Sequence, residues 1–86
     1  MDKIPKLRKK VDEIDDQILK TLCKRVKVCK AIGDAKKKQG MPIHDRSREN
    51  EVYTRIKEKS AQYQLDPVQI ELVYREIVNM CSAVQE

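Results

Sequence analysis

The stretch from about Pro5 to about Lys38 reads as a single helix, and its length restricts the fold more than any other feature. Pro5 is tolerated in a first turn, and Gly40 followed by Pro42 is a stop signal. Between them Ile4, Leu7, Val11, Ile14, Ile18 and Leu22 recur at spacings of three and four, one long apolar stripe. The seam continues through Arg25, Cys29, Ile32 and Lys36. Such a helix is roughly 50 Å long. A compact monomer of this size is only about 30 Å across. The remaining residues cannot cover it, so its apolar end must pack against a second chain. The expectation is an intertwined homodimer with the long helices paired.

Two shorter helices complete an all-α, single-domain reading of residues 1–86, without strand signals. The second starts near Asp45, a good N-cap residue after the Gly40-Met41-Pro42 turn, and carries Val52, Ile56 and Tyr63 along one side. The third opens on Asp66-Pro67-Val68-Gln69, a capping-box-like start with proline at the first helical position. Ile70, Val73, Ile77, Cys81 and Val84 are its expected inner face.

Composition narrows the function. Three cysteines, Cys23, Cys29 and Cys81, form no C-x-x-C pair, which argues against a disulfide framework or a zinc site. Cys23 and Cys29 are about 120° apart around a helix and cannot bridge. Reduced cysteines in a cytoplasmic protein are the simplest reading. The charged N-terminus is no signal peptide, and no apolar run approaches the roughly 20 residues of a membrane span. A net charge of +5 suits an anionic partner. Three tyrosines, with no Phe or Trp, leave little for stacking single-stranded bases.

The informative anomaly is charge on faces that ought to be apolar. Arg25 and Lys36 point within about 20° of each other, roughly 16 Å apart along the axis, on the register of Ile18 and Ile32. On the second helix Asp45, Arg48 and Glu49 share the face of Val52 and Ile56. On the third, Cys81 and Gln85 follow Ile77. Each has a plain alternative: a snorkelling arginine, a lysine favoured at a helix C-terminus, an N-cap, a surface ion pair, a frayed terminus, a small core thiol. Together they describe a pocket between three helices. Burying so many charges without a ligand is costly, and a dianion would balance the excess of cations.

Leu7-Arg8, Asp12-x-x-Asp15, Arg25, Lys36 and Pro42-Ile43-His44-Asp45-Arg46-Ser47-Arg48-Glu49 resemble, in order and interval, the all-helical class of chorismate mutase. The resemblance covers about residue 4 to residue 86. It implies that chorismate, a small dianion, rearranges to prephenate without a cofactor or metal. By the same resemblance Arg25 and Arg48 hold substrate carboxylates, and Lys36 contacts a carboxylate and the ether oxygen. Gln85 is the second donor to that oxygen, and Asp45 and Glu49 hold the ring hydroxyl. Cys81 stands where a hydroxyl residue often meets a carboxylate, and a thiol is a poorer donor.

Arg8 matches an arginine that crosses into the partner's site. Its own geometry agrees, since it lies about 25 Å from Arg25 along the helix and about 100° around it. The nearest rival is an isochorismate–pyruvate lyase of the same fold, against which Asp45 and Glu49 speak. A non-enzymatic helical module, regulatory or nucleic-acid-binding, is a remote third. It fits poorly with cations on a buried seam and no helix-turn-helix spacing. No membrane partner is expected.

Overall fold

The computed structural model describes residues 3–86 as three helices: α1 (Lys3–Gln39), α2 (Arg46–Gln62) and α3 (Pro67–Ala83). Among the described residues there is no strand, as the apolar periodicity predicts. Among the same residues no helix is long and apolar enough to cross a membrane.

Local sequence sets the helix ends. Gly40 takes φ 68° after α1. The Met41 N–H then reaches Lys36 O at 2.8 Å and the Gly40 N–H reaches Lys37 O at 3.3 Å, the paired bonds of a Schellman turn. Asp45 caps α2 by accepting the Arg48 N–H at 3.1 Å, and Asp66 caps α3 by accepting the Val68 N–H at 2.9 Å. Pro67 occupies the first turn of α3, where a missing N–H is harmless.

After α2 the chain repeats the Schellman turn, with Leu65 N–H to Ser60 O at 2.9 Å and Gln64 N–H to Ala61 O at 3.2 Å. Here the left-handed residue is Gln64, at φ 61°. A side chain in that region costs roughly 1–2 kcal/mol, a penalty that glycine escapes at the expense of about 0.5–1 kcal/mol of chain entropy. Gln64→Gly is therefore expected to stabilise the fold by about 0.5–1 kcal/mol, read as a higher denaturation midpoint with an unchanged slope. A lower midpoint would contradict this account of the turn.

Helices α2 and α3 pack on each other around Val52, Ile56 and Val78, with Tyr53, Ile70 and Tyr74 against them. An ion pair from Lys57 to Glu71 at 2.5 Å ties the two together. That hydrogen bond, with Arg75 nearby, holds the Glu71 carboxyl below the usual carboxylate range. The Ser60 hydroxyl is buried and donates to Ile56 O at 2.6 Å.

Two details of the expected faces are corrected. Tyr63 caps the C-terminus of α2 and is 73% exposed, because the turn at Gln64 swings it off the buried side. On α3, Val73 and Val84 face outward while Tyr74 and Val78 turn in, so the buried row is Ile70, Tyr74, Ile77, Val78, Cys81 and Gln85.

Helix α1 packs on α3 alone, and only through its C-terminal half. The remainder projects, giving a protomer of 59 × 24 × 15 Å. Ile4 is 60% exposed and Ile18 56%, and Leu7, Val11 and Ile14 between them are exposed as well. Among the described hydrophobics only Val52, Ile56, Val78 and Cys81 are buried, a small core for a chain of this length. A continuous apolar stripe of this length marks a surface meant to be covered.

Candidate active site

Where the lower half of α1 meets the end of α3, both helices run in the same direction. Arg25 faces Cys81, and one helical span further on Lys36 faces Gln85. The Arg25 guanidinium donates from Nη1 to Cys81 Sγ at 2.7 Å and lies 3.7 Å from Cys29 Sγ. Burial, helped by the neighbouring Cys81 thiol, pushes the Cys29 thiol upward and keeps it protonated. The Lys36 ammonium donates to Ile43 O at 2.6 Å and to Gln85 Oε1 at 2.9 Å.

The electrostatics follow from these partners. Arg25 and Lys36 are half-buried, and every hydrogen bond they make ends on sulfur, a carbonyl or an amide. Among the described residues neither lies in an ion pair. Two partly desolvated cations held by neutral groups leave positive charge uncompensated, which favours an anion between them. Because Lys36 takes the oxygen of the Gln85 amide, the amide nitrogen is the end left free to donate. Gln85 is only 8% exposed, so the frayed terminus is not what the fold adopts.

The remaining expected site residues are placed less completely. Asp45 is exposed and serves as the N-cap of α2. Glu49 is half-buried one turn before Val52. Arg48 does not turn inward: its side chain is 62% exposed and pairs with Glu51 at 3.3 Å. The cause is geometric, since α2 makes no packing with α1 and its first turn, ahead of the buried Val52, lies open in the single protomer. Arg8 is exposed on the projecting part of α1, away from the Arg25–Lys36 cluster of its own chain. His44 is exposed beside Glu86.

The cluster around Lys36 and Gln85 is a contact, not a hollow. The openings lie beside Arg25: a groove of about 320 Å³ bounded by Ile14, Ile18, Thr21, Leu22, Tyr74 and Ile77, and another of about 280 Å³ reaching Arg55, Lys59 and Tyr63. The first borders the projecting half of α1, and the second runs between α2 and α3 with Arg25 at its edge.

Gly33 is a residue that the charge pattern did not reveal. It is the buried residue of α1, and a Cβ built on it would lie 2.7–2.8 Å from the Cγ, Cα and Cβ of Gln85. Glycine inside a helix costs about 1 kcal/mol relative to alanine, so its place four residues after Cys29 and three before Lys36 was the available signal.

The fold and site define a small all-helical domain whose longest helix carries two half-buried cations bonded to neutral groups. Residues 7–86 match the family described as chorismate mutase type II, and the chain belongs to that family. It is 36% identical over 66 residues to a chorismate mutase of Methanocaldococcus jannaschii, covering 77% of this chain and 67% of that one. It is 35% identical over 89 residues to a bifunctional chorismate mutase/prephenate dehydratase of Aquifex aeolicus, covering all of this chain but 25% of the relative. The chain thus spans about a quarter of that larger enzyme. Among solved structures it resembles a conserved hypothetical protein from Pyrococcus furiosus. The TM-score is 0.78 at 30% identity, over 100% of this chain and 99% of that one.

Proposed function

We propose that this domain rearranges chorismate to prephenate, in the supply of aromatic amino acids, as a cytoplasmic homodimer whose two sites are each completed by the partner chain. Family membership supports the reaction. The observation that carries it is the pair of half-buried cations on α1, bonded only to neutral groups, with the Gln85 amide drawn onto one of them.

The reaction is a [3,3] rearrangement in which one C–O bond breaks as one C–C bond forms. It needs no nucleophile, and the protein acts in two ways. Arg25, Arg48 and Arg8 of the partner subunit hold the two carboxylates. They select the folded conformer, replacing a search over flexible forms. Asp45 and Glu49 receive the ring hydroxyl, and Cys81 lines the carboxylate seat beside Arg25. As the C–O bond lengthens, negative charge grows on the ether oxygen. The Lys36 ammonium and the Gln85 amide nitrogen stabilise that charge from fixed positions. In the dimer α2 and the partner's α1 wall the site, so Arg48 exchanges Glu51 for substrate. The apolar stripe Ile4–Ile18 becomes the subunit interface.

Loss of chorismate absorbance with purified protein, with prephenate as product, tests the reaction. Turnover of isochorismate with release of pyruvate instead would replace it with the lyase. A sharper test concerns Gln85. In Gln85→Glu, an ionised carboxylate sits against Lys36, neutralises it and has no proton to give. The neighbouring ammonium lowers the pKa of that carboxyl, so the donating acid form returns only in the acid range. Activity of Gln85→Glu is expected to be low at neutral pH and to climb as pH falls. A flat profile would remove Gln85 from the reaction.

A further inference from the structure

We infer that Gly33 is a positioning residue for Gln85: its missing side chain is the seat that lets the turn after α3 bring the amide onto Lys36. This rests on the mutase reading above. Gln85 lies beyond α3, in a turn held by Gln85 N–H to Ser82 O at 3.1 Å and Glu86 N–H to Ala83 O at 3.2 Å. Gly33 is embedded in a 37-residue helix. A Cβ on it would fall 2.7 Å from Gln85 Cγ, 2.8 Å from Cβ and 2.8 Å from Cα, against ordinary contacts of 3.4–4 Å. Rotating the glutamine side chain clears Cγ but not Cα, so a rotamer change does not relieve the clash. Backbone must move. The turn after α3, held by two backbone hydrogen bonds, is softer than the interior of a 37-residue helix, and it is Gln85 that is displaced. Lys36 is three residues after Gly33, on the same helical face. The glycine and the lysine therefore form one surface on which the amide rests, and a shift of the order of 1 Å breaks the 2.9 Å bond that Lys36 Nζ donates to Gln85 Oε1.

The spacing has a consequence for selection at this position. Alanine is the better helix former, so helix stability alone favours replacing Gly33. Close approach of Gln85 favours keeping it. The two pressures predict that Gly33→Ala folds and loses rate.

The test measures kcat and KM for chorismate in the wild type, Gly33→Ala, Gln85→Ala and the double variant, with far-UV circular dichroism and the 15N–1H spectrum of side-chain amides. Gly33→Ala is expected to keep its helicity and to lower kcat by about 10- to 100-fold, with KM changed less than threefold, because the amide acts mainly on charge that develops late. In the Gln85→Ala background the same substitution should cost less than twofold, since the group it positions is gone. The Gln85 amide resonance should shift in Gly33→Ala.

Losses that multiply in the double variant, an unchanged kcat, or a Gly33→Ala protein that does not fold would each overturn the assignment. An inactive wild type refutes the mutase reading instead. The amide resonance, which requires no turnover, still decides whether Gly33 seats Gln85.

Discussion

Lys36→Ala is expected to lower kcat for chorismate at least 10²- to 10³-fold, the loss typical for one preorganised donor to a developing oxyanion. The reason lies in what surrounds the ammonium. It is half-buried, held by Ile43 O and Gln85 Oε1, and no carboxylate of the described residues dilutes its charge. A charge so placed acts fully on the ether oxygen in the transition state and less on the ground-state ether. The loss should therefore fall on kcat, with a smaller rise in KM from the carboxylate contact.

Lys36→Arg separates charge from shape. A guanidinium keeps the positive charge but spreads it over a planar fork, which cannot meet both Ile43 O and Gln85 Oε1 as the ammonium does. Recovery should be partial at best. Near-normal turnover in Lys36→Ala would contradict the electrostatic mechanism outright.

How much of this was legible in the sequence follows from what each residue's environment depends on. The three helices and their ends come from local chemistry: Gly40, Asp45 and Asp66 determine their turns through bonds to neighbours within five residues. The pairing of Arg25 and Lys36 on one side of α1 is a property of the helical repeat alone. Their inward turn needed only that the rest of that side be covered. The inner face of α3 is less determined by spacing. Val73, Tyr74, Ile77, Val78, Cys81 and Val84 spread apolar character over an arc of about 140°, wide enough for spacing to permit more than one inner row. Docking on α2 chooses Tyr74 and Val78.

Tyr63 departs from the helical spacing because its position depends on a left-handed residue, Gln64, that no glycine announces. Gly33 escaped notice because its significance is steric and distant. It is defined by a residue more than fifty positions along the chain, whose backbone occupies the space a methyl group would fill. Arg48 shows the opposite limit. The sequence places it one turn before Val52, yet in a single protomer the burial of that row begins only at Val52, and the Arg48 side chain settles on Glu51. Its proposed role depends on an assembly, and so does that of Arg8.

The central claim is that each site combines Arg25 of one chain with Arg8 of another, and mixed dimers address it most directly. Arg8→Ala and Arg25→Ala homodimers lose a carboxylate ligand in both sites and should be nearly inactive. Co-expressed with separate tags, the two chains assort at random. Half of the dimers are then hybrids, in which one of two sites has both arginines intact. The account predicts that the mixture recovers about a quarter of wild-type activity, carried by the doubly tagged fraction. Activity no greater than the sum of the two homodimers, in a sample shown to contain hybrids, would contradict it.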